Sequence, residues 1–281
     1  MKNHSERLTG STWIDIQIYE IKDTGMDVPT IIPLRAFQDN YIWCLRQGSA
    51  AVVVDPGDAA PVLDYLANEG VRLTAILTTH HHADHVGGNT RLLSKYNVPV
   101  FGPAHEKIPG ITQTLREGDT IKVPGISLNL RVLDVPGHTA GHIAYYGGGV
   151  LFCGDTLFSC GCGRLFEGSA AQMYSSLLKF AALPADTLVY CAHEYTLSNL
   201  RFARAADPGN PALDVRETAA RAALSTGNPS LPSTIQSELA TNPFLRGGDA
   251  GVAASASRHA GRNLTDPAEV FATLRRWKDG F

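Results

Sequence analysis

The chain is poor in cysteine, with five residues in 281, and the odd number excludes a fully paired disulfide framework. Cys44, Cys153, Cys160, Cys162 and Cys191 therefore fit a reducing compartment. Basic charge is not in excess. Lys and Arg number 24 against 27 Asp and Glu, and a net charge of -3 provides no surface for a nucleic acid. No apolar run approaches the ~20 residues of a membrane-crossing helix. The first thirty residues contain Glu6, Asp15, Glu20, Asp23 and Asp27, so they lack the basic start and apolar centre of a signal peptide. They are also too acidic for a transit peptide, which makes the cytoplasm the expected compartment. At 44% hydrophobic and 18% charged, the chain has the composition of an ordinary globular protein with one large domain, or one plus a smaller companion.

What is present is concentrated in one turn. Thr79-His80-His81-His82-Ala83-Asp84-His85 follows the apolar run Leu73 to Leu77 and precedes Gly87-Gly88, the pattern of a buried strand ending in a loop. Four imidazoles packed side by side gain nothing without a common partner, and imidazole with carboxylate suits zinc, iron or manganese. In an extended stretch His80 and His82 point to one side, so they can grip one ion. Asp84 and His85 come where the chain must turn and face a neighbouring position. His81 points away and is expected not to ligate.

Each pair is short of a full shell. His138 in Val135-Pro136-Gly137-His138, Asp155 in Cys153-Gly154-Asp155 and His193 in Cys191-Ala192-His193 all sit where an apolar run stops. Taken singly, each could be a hydrogen-bonded loop residue; three placed alike point to ligands. His4, His105 and His259 lack this setting and are expected to be solvated. Cys160-Gly161-Cys162 has no second cysteine pair, so these thiols are read as small packed residues.

The THHHADH and PGHTAGH turns, the stretch Phe152 to Gly168 (FCGDTLFSCGCGRLFEG) and Cys191 to Thr196 (CAHEYT) resemble, in order, the motifs of the glyoxalase II hydroxyacylglutathione hydrolases of the metallo-β-lactamase fold. The resemblance runs from about Ile31 to Phe281. It implies an α/β architecture, an αββα sandwich over residues 31–195 with a smaller C-terminal α-helical, substrate-binding domain over 196–281. Residues 1–30 would form an extension, with disorder as an expectation. His80, His82 and His138 would hold one metal, Asp84, His85 and His193 another, and Asp155 would bridge both. Two divalent ions are implied, zinc foremost, with iron or manganese admitted. The implied substrate is a glutathione thioester such as S-lactoylglutathione, hydrolysed by a metal-bridging hydroxide in methylglyoxal detoxification, with Asp84 orienting that hydroxide. The implied protein is a monomer with no nucleic-acid or membrane partner. Arg164, Phe166, Tyr195, Arg275 and Lys278 match positions that contact the tripeptide. Phe166 stands where a tyrosine is usual and Arg164 where a lysine is usual. A single-iron persulfide dioxygenase of the same fold and a non-catalytic metal-binding protein remain as alternatives.

Local signals sketch the rest. Ala51 to Asp55 reads as a buried strand, and Pro61 to Glu69 as a helix with Val62, Leu63, Leu66 and Ala67 inward, stopped by Gly70. Asp55 is placed either beside a ligand imidazole or, like Asp58, at a helix cap. Ser169 with Gln172 forms a capping box for a helix through Phe180, with Met173, Leu177 and Leu178 inward. Helices are expected over Thr196 to Ala206, from Ser233 to Asn242, and from Asp266-Pro267, the last burying Val270, Phe271, Leu274 and Trp277 with Arg275 and Lys278 on another edge.

Overall fold

In the computed structural model, residues 19–20 and 29–281 are described. Apart from Tyr19–Glu20 and residues 29–30, the expected extension lies outside the described residues, as does His4.

Seven strands form one sheet in chain order: β1 (Tyr19–Glu20), β2 (Thr30–Ala36), β3 (Asn40–Gln47), β4 (Ala50–Val54), β5 (Arg72–Leu77), β6 (Val100–Pro103) and β7 (Gln113–Leu115). It is antiparallel as far as β4 and parallel beyond. The second sheet takes β8 (Thr120–Lys122), β9 (Asn129–Asp134), β10 (Ile143–Gly147) and β11 (Val150–Gly154), and adds β14 (Leu188–Cys191) and β15 (Ser233–Thr234) beyond β11. Between β11 and β14 runs a hairpin, β12 (Leu157–Phe158) with β13 (Gly161–Cys162).

Alternation along the strands explains the layering. Trp43, Leu45, Val52 and Val54 point to the second sheet and share a core with Leu130, Val132, Tyr145 and Phe152. Ile42, Cys44, Ala51 and Val53 point the other way, onto Val62, Leu63 and Leu66 of α1 (Ala59–Glu69) and Leu92 of α3 (Asn89–Leu93). A sheet covered on both faces needs unbroken apolar strands, and these have them. The Trp43 indole donates to the Cys191 carbonyl at 3.0 Å, tying the sheets together next to His193.

Helix ends follow their caps. Asp58 accepts from Ala60 N at 2.9 Å and opens α1, and Gly70, at φ 64°, closes it. Ala67, expected inward, is exposed. On α4 (Ala170–Ala181) the capping box of Ser169 and Gln172 is present, and Met173, Leu177 and Phe180 are buried. Leu178 is instead exposed, because it stands about 100° around the axis from Leu177. The sequence reading also missed α2 (Ala83–Val86): the extended stretch ends at His82, and Asp84 and His85 lie on one short helical turn.

After β14 come α5 (Thr196–Ala206), α6 (Ala212–Ser225), α7 (Ile235–Thr241), α8 (Ala250–Ala260) and α9 (Pro267–Asp279). Helices α6 and α8 were not expected. They bury only Leu213 and Ala220, and Val252, Ser255 and Ala256, so their apolar stripes are faint. On α9, Val270, Phe271 and Leu274 are buried, while Trp277 is only partly so. Arg275, expected on another edge of the helix as a substrate contact, is buried as well.

Candidate metal centre and the cleft above it

Four loops leave the carboxyl ends of β5, β9, β11 and β14 at adjacent sheet edges, carrying the histidine turn, His138, Asp155 and His193 respectively. Their approach is close. Gly154 has φ 48°, and a Cβ there would collide with Thr79 Oγ1 and the His142 ring.

Two donor clusters result. His80 Nε2 lies 3.1 Å from His82 Nδ1, which lies 3.0 Å from His138 Nε2. In the second cluster, Asp84 Oδ2 is 3.5 Å from His85 Nε2 and 3.4 Å from His193 Nε2. Asp155 stands between them, with Oδ2 3.4 Å from His138 Nε2 and Oδ1 3.4 Å from both His85 Nε2 and His193 Nε2. Ligands about 2.05 Å from a tetrahedral ion are about 3.3 Å from one another, so these spacings fit a shared cation. His85 Nε2 and Asp155 Oδ1 are buried and have no hydrogen-bond partner, a costly state that a cation relieves. Fold and donor set together mark a divalent-metal centre.

Electrostatics agree. Burial holds His80, His82, His138 and His142 below the ordinary histidine range, in the neutral form that ligates. Burial opposes charge on Asp155, but His85 and His193 outweigh it and keep that carboxyl well below its usual range. The same burial opposes charge on His85 and His193, and Asp155 overrides it, raising both. This half of the site favours positive charge.

Partners behind the ligands fix their tautomers. Thr79 Oγ1 donates to Asp55 at 2.7 Å and so accepts from His80 Nδ1 at 3.0 Å, while His138 Nδ1 donates to the Arg164 carbonyl at 2.8 Å. Asp55 also meets His85 Nδ1 at 3.1 Å and takes Thr79 N at 2.7 Å, which decides its role; Asp58 alone caps α1. His142, outside the expected ligand set, stacks on His80 with ring centroids 4.5 Å apart and accepts from Asp155 N at 3.2 Å. Asp39 and Asn40 were missed altogether. They reach His193 Nδ1 at 2.8 Å and Asp84 Oδ2 at 3.0 Å, and in the sequence they look like ordinary turn residues. His81 turns away as expected, between Glu106 at 2.9 Å and Glu167 at 3.3 Å. His105 is exposed and meets Arg116; His259 is exposed but stacks on Trp277, 4.4 Å between centroids.

Above the clusters opens a cleft of about 670 Å³, lined by His82, Asp84, His138, Asp155 and His193 on its floor and by Arg164, Phe166, Tyr195, Arg275 and Lys278. Tyr195 stacks flat on His193, 4.8 Å between centroids at 7°. Phe166 is 61% exposed and stands roughly perpendicular to the rings of His82 and His138, with centroids 5.4 and 5.2 Å away. Arg275 is engaged by the protein: Nη1 donates to the Cys162 carbonyl at 2.8 Å and Nη2 to Asp279 Oδ1 at 3.0 Å. The same Asp279 oxygen lies 3.4 Å from Arg164 Nε. Lys278 donates to Asn199, whose amide holds the Ser159 carbonyl at 2.9 Å. Asn199 carried no sequence signal. Burial, with Arg275 alongside, pulls the Lys278 ammonium down to about 8. Cys160 and Cys162 are buried thiols packed around this hairpin, as expected.

Known proteins resemble this chain along most of its length. Residues 36–193 match the metallo-beta-lactamase superfamily, and residues 194–281 match the hydroxyacylglutathione hydrolase C-terminus. The hydroxyacylglutathione hydrolase of Nitrosomonas eutropha is 56% identical over 251 residues, covering 89% of this chain and 98% of the relative. That of Alkalilimnicola ehrlichii is 57% identical with the same coverage. Among solved structures, the BLEG-1 B3 metallo-beta-lactamase is 25% identical with a TM-score of 0.58, over 76% of this chain and 98% of that one. ETHE1 from Myxococcus xanthus has the same identity and TM-score, over 87% and 98%.

Proposed function

Because this chain belongs to the hydroxyacylglutathione hydrolases of the metallo-β-lactamase superfamily, we propose that it hydrolyses S-(2-hydroxyacyl)glutathione thioesters, S-lactoylglutathione among them, to a 2-hydroxy acid and glutathione. One observation carries the reading: seven donors from four loops gather in two adjoining clusters, and five of them, His82, Asp84, His138, Asp155 and His193, floor a cleft also lined by Arg164, Arg275 and Lys278. His80, His82 and His138 would hold one divalent ion and Asp84, His85 and His193 a second, with Asp155 between. The complete second trio supports two ions over the single iron of a persulfide dioxygenase. Zinc suits a set of five imidazoles and two carboxylates, and iron or manganese can replace it. Such ions, when bound, acidify water and polarise a carbonyl.

The residues do the remainder. Asp84 orients the attacking water, held in place by Asn40. Arg164 and Lys278 draw the carboxylates of the glutathione moiety into the cleft, Arg275 adds positive charge from its buried place behind them, and Tyr195 and Phe166 pack beside the acyl end. Burial raises the Tyr195 phenol, so it stays protonated and can donate. The leaving thiol has a pKa of roughly 8.5 and departs without a strong general acid, whereas an amine would need one. Five unpaired buried thiols suit the cytoplasm, and a monomer suffices because one chain supplies every named residue. The metal-loaded protein should release thiol from S-lactoylglutathione, with His85→Ala strongly impaired. Absence of turnover, or equal turnover by the variant, rejects the reading.

A further inference from the structure

We propose that the turn Phe37–Asn40 is a clamp that sets the affinity of the second donor cluster alone, with Asp39 acting through His193 and Asn40 through Asp84. The inference rests on the two-ion reading above and assigns a positioning role to residues that touch neither ion.

Three observations converge on it. First, the turn reaches the second cluster twice and the first not at all. Asp39 accepts from His193 Nδ1 at 2.8 Å, and Asn40 donates to Asp84 Oδ2 at 3.0 Å. The first cluster is oriented by Thr79 and the Arg164 carbonyl instead. Second, the turn is fastened to the strand end that carries His193. Tyr41 N donates to Ala192 O at 2.7 Å and Glu194 N to Asp39 O at 2.9 Å, so turn and ligand are held in one register. Third, the turn is kept in an unfavourable shape. Phe37 has φ 51°, a region an aromatic residue rarely adopts, although its ring is 63% exposed. Packing of that exposed ring does not account for the backbone.

The residue types are matched to the two ligands. A carboxylate behind an imidazole fixes the Nδ1–H tautomer, leaves the Nε2 lone pair for a cation and adds negative charge. An amide behind a carboxylate donates a hydrogen bond without adding a second charge. Exchanging the two would set carboxylate against carboxylate at Asp84.

Competition between the full-length protein and a chromophoric chelator for zinc reads both affinities. The unmodified protein should hold two ions. Asp39→Ala and Asn40→Ala should weaken one of them about 10- to 100-fold and leave the other unchanged. Asp39→Asn, which keeps an acceptor and preserves the fold, should fall between. Cobalt substitution should show the same split as loss of one of two sets of visible bands. A merely structural role would weaken both ions together, and that result, or no change in either, overturns the proposal. A single ion on the unmodified protein would sink the two-ion reading itself, and this inference with it.

Discussion

Asp155 Oδ1 stands 3.4 Å from His85 Nε2, both atoms buried and neither with a hydrogen-bond partner. Two polar atoms aimed at one point but not bonded to each other define the space between them. Asp155→Asn keeps the size of the side chain and removes the charge that serves both clusters. It should lower bound metal as measured by elemental analysis. It should also cost several kcal/mol of transition-state stabilisation, on the order of a thousand-fold in rate.

Arg275 and Lys278, three residues apart on α9, should separate in their effects. Arg275→Ala leaves the buried Cys162 carbonyl unsatisfied, a loss of about 1–3 kcal/mol that thermal melting reads as a drop of a few degrees. Lys278→Ala should change Tm little and raise KM for the glutathione thioester. Equal melting losses would contradict this division.

Lys278 also predicts a pH dependence. Its ammonium titrates at about 8 against 10.5 when unburied, so the charge is present at pH 7 and is lost as pH rises through 8. Calorimetric affinity for S-methylglutathione, an inert mimic, should fall about tenfold or more between pH 7 and pH 9 and level off in Lys278→Arg. The sign for stability is opposite. Between about pH 8 and 10.5 the unfolded chain binds the extra proton, so this residue makes the fold more stable as pH rises there.

Phe166 lines the cleft beside His82 and His138 with no polar group to offer. Phe166→Tyr adds a donor worth about 0.5–1.5 kcal/mol, so KM should fall about two- to tenfold with kcat unchanged. Steady-state kinetics on S-lactoylglutathione decide it, and an unchanged KM would show that the missing hydroxyl is immaterial.

Much of this could be read before any coordinates. Strand ends were legible because an apolar run stopping at a small residue and then a histidine or aspartate is a local pattern, and β5, β9, β11 and β14 follow it. Helix starts at Ser169 and Asp266 were legible because capping lies within three residues. Leu178 was misplaced for want of a partner: its neighbour Leu177 has the same apolarity, and only the packed neighbour of α4 separates them. Helices α6 and α8 escaped because alanine and serine make a faint stripe.

By itself, then, the order of residues determined the donor types, the strand ends that carry them and the caps that start α4 and α9 and stop α1. These are short-range matters of period, charge and backbone preference. Tertiary structure alone decided that Asp39 meets His193 across 154 positions, that Asn40 serves Asp84, and that the guanidinium of Arg275 closes a hairpin at Cys162. Such pairings depend on where two sheets and a terminal helix come to rest, and no local pattern encodes the distance between residues that folding brings together.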